Sequence, residues 1–299
     1  MDGFGQFRYF PNMENPSDTI PAYDLYGEKG LFPDLMHCER IVDRARDHGW
    51  SIAPHRHGIL HQFFHLDGPG AEVSVDGARF RIDGPSLISV PRFAVHAFRF
   101  PGGQKGHVLS ILPDTLPELF GDTSEVPGAL SRWRMVTAPA GIGAVFDAIR
   151  SDLAGALPLR SAVLRARAVE VAAALLRGEG AADVADPATP ALRHMRRFEA
   201  LIRADPSARR TVGDYAREIG VSAEHLGRIT QAMAGRSPAR FIEARRMQEA
   251  RRQLAYTRQS VAAIAHGLGY DDPAYFSRAF RRVEGVSPRA YRASRAEIA

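Results

Sequence analysis

A chain of 299 residues with one cysteine is long enough for two domains with separate cores, and it excludes an internal disulfide or a cysteine-based zinc cluster. MDGFGQFRYF at the N-terminus lacks an apolar stretch of signal-peptide length, and no segment reaches the ~20 apolar residues that span a bilayer, so a soluble cytoplasmic protein is expected. The net charge of +5 is unevenly spread: residues 190–299 carry 21 arginines against 11 carboxylates, a balance of +10, while residues 1–189 balance at −5. A basic domain joined to a mildly acidic one suggests that only the former meets a polyanion, although a merely solvated arginine-rich surface has the same composition.

Residues 1–35, rich in Pro, Gly and aromatics, are expected to form an irregular arm. From Arg40 to Leu112 the hydrophobic period is two, punctuated by Asp67-Gly68, Asp76-Gly77, Asp83-Gly84 and Gly102-Gly103. Glu72–Val75 and Phe80–Ile82 alternate around Asp76-Gly77, a strong hairpin signal. Many short antiparallel strands predict a small barrel or jelly roll within residues 1–137. Residues 138–177 change character: Ile142–Leu153 and Ser161–Leu176 have helical spacing, with Leu164, Ala168, Val171 and Leu175 on one stripe. Such a stripe packs on its own domain or makes a dimer interface, and dimerisation is the role expected for this segment. Residues 178–190 (GEGAADVADPATP) read as a flexible linker.

Residues 191–299 are expected to be all-helical, with legible start signals. Thr211-x-x-Asp214 has the form of a capping box for a helix to Ile219; Gly220-Val221-Ser222 supplies a three-residue turn, and a second helix runs from Ala223 to Ala234. Ser237-Pro238 opens a long helix to about Tyr256. The pattern then repeats: Ser260 caps Val261–Gly267, Leu268-Gly269-Tyr270 turns, Asp272-Pro273 caps a helix ending at Gly285, and Ser287-Pro288 opens the last. This predicts two helix-turn-helix units. A 19-residue connector is ~28 Å long, against ~34 Å between successive major-groove faces of B-DNA.

Gly220-Val221-Ser222, Gly235-x-Ser237-Pro238-x-x-Phe241, Arg245, Ala250, Leu254, Ile264-Ala265 and Leu268-Gly269-Tyr270 resemble the AraC/XylS family of transcription regulators, as do Tyr275-Phe276-x-Arg278-x-Phe280-Arg281-Arg282, Gly285 and Ser287-Pro288-x-x-Tyr291-Arg292. The likeness covers about residues 195–295. It implies promoter DNA and RNA polymerase as partners and DNA-facing positions early on each second helix: Ser222, Glu224, His225 and Arg228 in the first unit, Ala274, Ser277 and Arg278 in the second. Arg228 and Arg278 have the chemistry to read guanine, whereas Arg240, Arg281 and Arg282 suit phosphates. Gly227 stands where the family often has a polar reader, so the first unit is expected to read fewer bases. Leu226, Ile229, Phe276 and Phe280 belong to the core.

The strand-rich segment carries a second pattern. Gly49, His55, His57, His61 and Gly68 reproduce the spacing G-x5-H-x-H-x3-(E)-x6-G of metal-binding cupins, with His61 in place of Glu, and Pro91-x4-His96 resembles the second cupin motif. His55 and His57, two apart on a strand, share a face. With His61 and His96 they would place four imidazoles around a barrel interior, as a Zn, Fe or Mn site, as partners of an organic ligand, or as plain core histidines. Sensory cupins of AraC-type regulators generally work without metal, so the resemblance implies no cofactor and an organic effector.

Ile20-Pro21-Ala22-Tyr23-x-Leu25-Tyr26-Gly27-Glu28, His37-Cys38-Glu39 and Trp50-x-Ile52-x-Pro54-His55-Arg56-His57-x-x-Leu60-x-Gln62 are similar to the AraC-type activators that respond to 4-hydroxybenzoate or 4-hydroxyphenylacetate. Phe64 and Phe98, with Phe100, can wall an aromatic acid, and imidazoles can bond a phenol or a carboxylate. Arg56, Arg79, Arg81 and Arg99 lie out of phase with the inward positions, which leaves a histidine, Arg8 or Arg92 for the carboxylate. The sequence therefore predicts an α+β two-domain protein, a cupin-like β-barrel with a helical dimerisation segment followed by two helix-turn-helix units. It would act as a homodimeric, non-enzymatic activator controlled by a small aromatic acid. The competing expectation is a metal-dependent cupin enzyme fused to a DNA-binding domain.

Overall fold

Asp76 and Gly77 both take positive φ, 47° and 85°, the pair that a two-residue hairpin with right-handed twist requires, and they bring Val75 opposite Ala78. This hairpin belongs to the first of two units, Met1–Pro187 and Ala188–Ala299, into which the contacts divide the chain. The computed structural model describes residues 7–9, 22–23, 36–121, 128–155, 158–178, 189–207 and 210–296.

Among the described residues of the first unit the strands are β1 (Phe7–Tyr9), β2 (Ala22–Tyr23), β3 (Met36–Arg40), β4 (Ser51–His57), β5 (His61–Leu66), β6 (Glu72–Val75), β7 (Ala78–Ile82), β8 (Ser86–Val90), β9 (His96–Arg99), β10 (Gly106–Ile111) and β11 (Arg134–Thr137). They form a six-stranded sheet in the order β1-β7-β6-β9-β4-β2 and a five-stranded sheet in the order β11-β8-β5-β10-β3. Neither described sheet closes on itself, so the architecture is two open sheets where one barrel was expected. Phe64, Ile88, Val90 and Val108 from the smaller sheet pack with Val73, Val75, Phe80, Ile82 and Phe98 from the larger, filling the space between them.

Three departures from the sequence reading follow from packing. Strands β1 and β2 lie in the segment expected to be an irregular arm, where they edge the larger sheet. A short helix, α1 (Ile41–Asp47), interrupts the period-two region; Ile41 and Ala45, four apart, are its buried face, a helical spacing masked by the strands around it. The central strands β5, β8 and β10 are buried at every position because helices cover their second face. Phe63, Leu87, Leu109 and Ile111 pack there against Phe146 and Ile149 of α3 (Ile142–Ala154) and Leu164, Ala168, Val171 and Leu175 of α4 (Arg160–Arg177). The stripe expected to serve dimerisation is thus spent on this unit's own core. The short helix α2 (Pro117–Phe120) adds Leu119 to the same layer.

The second unit is helical throughout its described residues: α5 (Pro190–Ala204), α6 (Val212–Ile219), α7 (Ala223–Ala234), α8 (Pro238–Tyr256), α9 (Val261–Gly267), α10 (Pro273–Glu284) and α11 (Pro288–Ala296). Of the segment expected to be a linker, residues 179–188 lie outside the described residues. Both helix-turn-helix turns close in the same way. Gly220 has φ 83° and lets the Val221 N–H reach back to the Ala216 carbonyl at 2.9 Å; in the second turn the Tyr270 N–H reaches the Ala265 carbonyl at the same distance. Thr211 and Asp214 form the reciprocal capping box.

Helix α8 unites the two halves of this unit. Its N-terminal half packs Phe241 against Phe198 of α5, with ring centroids 5.7 Å apart, and its C-terminal half packs Met247, Ala250 and Leu254 with Ile264, Leu268, Phe276 and Phe280. An ion pair reinforces each half, buried on both sides in the first and with a half-buried arginine in the second. Arg245 pairs with Glu199 of α5 and donates to Gln248 Oε1 at 2.7 Å. Arg251 donates from Nε to Glu284 Oε1 of α10, also at 2.7 Å.

Candidate functional site

The two helices expected to meet DNA begin with side-chain caps. Ser222 Oγ accepts from the His225 N–H at 3.0 Å, and Asp272 accepts from the Ala274 and Tyr275 N–H groups at 2.7 and 3.1 Å. These caps satisfy donors that would otherwise be orphaned at a helix start. Leu226 and Ile229 of α7, and Phe276 and Phe280 of α10, point into the core, which turns the opposite faces outward. Glu224, Arg228, Ala274, Arg278, Arg281 and Arg282 are exposed, while His225 and Ser277 are half-buried. Two hydroxyls already have local work: Ser222 is the cap, and Ser277 donates to the Pro273 carbonyl at 2.8 Å.

The arginines are held loosely enough to be recruited. Arg228 approaches His225 Nδ1 at 3.4 Å, and a guanidinium can only donate, so the ring nitrogen accepts. Arg278 lies 3.5 Å from Asp272 and 5.9 Å from the Tyr275 ring centroid, both exposed interactions that water and salt weaken. Arg240 and Arg282 line one open cleft of about 770 Å³ together with Arg246 and Tyr275. Tyr275 is part of the family-like motif in the sequence but not among its DNA-facing positions. It is 53% exposed, and helical spacing could have found it: with Phe276 and Phe280 assigned inward, Tyr275, Arg278 and Arg282 at i, i+3 and i+7 share the outward face.

Residues 215–294 match the family described as a helix-turn-helix domain. Over 82 residues the chain is 35% identical to the HTH-type transcriptional regulator YisR of Bacillus subtilis, covering 27% of this chain and 29% of that protein. It is 30% identical to the arabinose operon regulatory protein of Escherichia coli over a segment of the same length, 28% of that protein. The C-terminal unit is an AraC-type helix-turn-helix domain. A solved AraC-type regulator from Chromobacterium violaceum shares 27% identity with 35% of this chain and is covered over 93% of its own length, at a TM-score of 0.34. The chain spans under a third of the length of the curated relatives it matches.

Within the AraC-type domain Gly227 has no packing reason to be glycine: a Cβ there would meet nothing within 4 Å. Helix α7 forgoes up to ~1 kcal/mol relative to alanine at that position, in the helix already expected to read fewer bases.

The second site lies between the sheets. His55 and His57 on β4 and His96 on β9 are 4%, 2% and 1% exposed, and their ring centroids lie 4.3 to 5.4 Å apart. Strand pairing sets this: His55 sits directly opposite His96, and His57 follows two residues along the same face. His61 does not join them. The side-chain period of two on β5 turns Gln62 and Phe64 toward the other sheet and His61 toward the helices, where it packs 4.8 Å from Phe63 and 4.9 Å from Phe120. Its Nε2 lies 2.8 Å from Ser89 Oγ. The four-imidazole cluster is therefore corrected to three.

Burial dominates the electrostatics. It lowers the pKa of His55, drives that of His96 well below the usual range, and takes that of His61 down to about 3. These rings are neutral at physiological pH. Phe64 and Phe98, 4.3 Å apart, and Phe98 and Phe100, 5.4 Å apart, form an aromatic wall beside His96.

The arginines expected to be out of phase behave unequally. Arg81 and Arg99 are exposed and Arg79 is half-buried, whereas Arg56 is buried and its pKa is pulled down by that burial. Arg92 is half-buried, and its charge helps to lower the pKa of His61. Arg8 is on β1, opposite Arg81, and its side chain lies outside the described residues. A residue missed by sequence reasoning, Arg44 of α1, lines a cavity of about 10 Å³ with Ile41, His55, Gln62, Phe64 and Phe98. Its helix could not be distinguished from the strands around it, so its direction had no sequence signal.

Proposed function

We propose that the protein is a transcription regulator that binds promoter DNA through the AraC-type domain. The observation that carries this is the pair of capped, arginine-bearing helices α7 and α10 joined by the 19-residue α8. At ~28 Å that connector suits two recognition helices in successive major-groove segments. Arg228 and Arg278 would read bases, and Arg240, Arg281 and Arg282 would hold phosphates. Arg278→Ala is expected to relax base preference within one half of the site and to weaken binding by ~1–3 kcal/mol. The test is a selection of bound sequences from a randomised duplex; an unchanged preference would remove α10 from the role of reader.

The N-terminal unit then supplies control by a small aromatic acid of the hydroxybenzoate kind. Likeness to hydroxybenzoate-responsive activators, the aromatic wall and the newly located Arg44 support this reading. Arg44 would pair the carboxylate, Phe64, Phe98 and Phe100 would face the ring, and His55 and Gln62 would meet the phenol. The cavity of about 10 Å³ is the size of one water, so an aromatic acid enters only if α1, which supplies Ile41, Arg44 and Ala45, moves outward. A ligand that favours the displaced α1 would shift the populations of two conformations, which is what regulation requires. In thermal-shift measurements 4-hydroxybenzoate is expected to stabilise the protein, and Arg44→Ala to abolish the shift. A panel of hydroxylated benzoates and phenylacetates without effect would defeat the reading.

Homodimerisation, recruitment of RNA polymerase and action in the cytoplasm complete the proposal. With the α4 stripe buried, a second copy would meet the face carrying exposed Leu159 and Val163.

A further inference from the structure

We propose that Tyr270, tied to Glu243 and Arg246 of α8, is a positioning residue that fixes the spacing between the two recognition helices. It thereby sets how many base pairs separate the two halves of the DNA site. This rests on the reading of α7 and α10 as the helices that enter DNA.

Tyr270 ends the turn of the second helix-turn-helix, and each part of it holds a different element. Its N–H donates to the Ala265 carbonyl at 2.9 Å and its carbonyl accepts from His266 Nδ1 at 3.0 Å, which fastens the backbone to α9. Its ring packs on the first turn of α10, with centroids 5.3 Å from Phe276 and 6.1 Å from Tyr275. Its hydroxyl crosses to α8 and donates to Glu243 Oε1 at 2.9 Å. The residue is buried. Burial, and after it the Glu243 charge, raises the Tyr270 pKa, so the hydroxyl keeps its proton and remains the donor. The second Glu243 oxygen, Oε2, lies 3.6 Å from Arg246. The Arg246 charge acts both on Tyr270 and on Tyr215 of α6, the first helix of the other helix-turn-helix.

The place of this tie along α8 gives it its effect. The second helix-turn-helix packs on the C-terminal half of α8, through Met247, Ala250 and Leu254, whereas the first packs on the N-terminal half through Phe241. Glu243 stands beside Phe241, ~16 Å along the axis from Leu254 at 1.5 Å per residue. The hydroxyl therefore catches the second helix-turn-helix far from its main apolar contact and resists rocking about that contact. A site with one base pair more or fewer between its halves displaces α10 by ~3.4 Å along the DNA and ~35° around it. A hydrogen bond of 2.9 Å does not survive a displacement of that size. A hydrogen bond to a charged group is worth about a tenfold factor in an equilibrium, and that factor is the discrimination the tie adds against the wrong spacing.

The test uses the full-length protein. The two-part site is taken from sequences selected out of a randomised duplex. Binding is then measured on duplexes whose halves stand at the selected spacing, one base pair closer and one base pair further apart. Wild type is expected to bind both altered spacings more weakly. In Tyr270→Phe and in Glu243→Ala the ratio between selected and altered spacings should shrink about tenfold, with the bases preferred within each half unchanged. Glu243→Gln, which keeps an oxygen to accept from the hydroxyl, should retain most of the discrimination. The double variant Tyr270→Phe/Glu243→Ala should discriminate as each single variant does, because both remove the same interaction. Loss of folding would lower affinity at every spacing alike and leave the ratio in place. A wild type that selects no two-part sequence overturns the DNA reading and the proposal together. A two-part site that wild type binds without regard to spacing overturns the proposal alone, as does a spacing ratio that Tyr270→Phe and Glu243→Ala leave unchanged.

Discussion

Replacing Arg245 with methionine is expected to destabilise the AraC-type domain by about 3–5 kcal/mol, enough to leave a domain of ordinary stability largely unfolded. Arg245 and its partner Glu199 are both buried, and Arg245 also donates to Gln248 and lies over the Phe241 ring. Removing the guanidinium leaves the Glu199 carboxylate in a low-dielectric interior facing a thioether. The cost comes mainly from that stranded charge, so Glu199→Met in the same chain should recover most of it. Calorimetry separates the units: the domain's transition should move down in Arg245→Met and return in the double variant, while the Trp-detected transition stays in place. Both tryptophans, Trp50 and Trp133, belong to the N-terminal unit. A single variant within 1 kcal/mol of wild type would show that the pair does not hold α5 to α8.

The N-terminal unit is expected to be acid-labile well before its carboxylates titrate. His61 has a pKa of about 3 in the folded protein against ~6.5 when unfolded. Between those values the unfolded chain binds a proton that the folded one does not, so stability is complete above pH ~6.5 and falls as pH is lowered. Between ~6.5 and the folded pKa each unit of pH costs about 1.4 kcal/mol from this one ring, about 2 kcal/mol at pH 5 and about 4 kcal/mol by pH 3, where the folded ring begins to take up the proton. His55, His65, His96 and His107 are lowered in the same direction, burial being the largest cause for each, and they steepen the slope. Urea unfolding followed by tryptophan fluorescence should show the midpoint dropping between pH 7 and 5. His61→Gln, which keeps a polar group beside Ser89, should flatten that drop by the share of one ring. An unaltered slope in His61→Gln would assign the acid sensitivity elsewhere.

The two units differ in how far their structure is encoded locally. In the AraC-type domain almost every boundary is a local event. Thr211 with Asp214, Gly220, Ser222, Ser237-Pro238, Ser260 and Asp272-Pro273 act on backbone groups within four residues of themselves. Inward Leu226, Ile229, Phe276 and Phe280 follow from a period that a helix imposes by itself. The outward arginines are the remainder of that pattern, and so was Tyr275, had the remainder been taken in full. Arg245 and Arg251 are the exceptions: in a basic domain an arginine reads as a surface charge, and only the arrival of Glu199 and Glu284 from other helices makes Arg245 a core residue and ties the half-buried Arg251 to a buried carboxylate.

In the N-terminal unit the decisive events are long-range. The chain's own alternation determined that β4 turns His55 and His57 to one face and that β6 and β7 form a hairpin at Asp76-Gly77. Which face of β5 meets the other sheet is settled by pairing with β8 and β10, and that choice sent His61 to the helices and left three histidines together. The α4 stripe was legible as apolar, yet whether it covers a sheet or a second copy depends on surfaces far away in sequence; Val171 and Leu175 ended in the unit's own core. The local code, then, specified two helix-turn-helix units and the inward pair on β4. Tertiary packing alone decided the histidine trio, the place of Arg44 beside it and the burial of the α4 stripe, because each depends on partners brought together only when the sheets and helices close on one another.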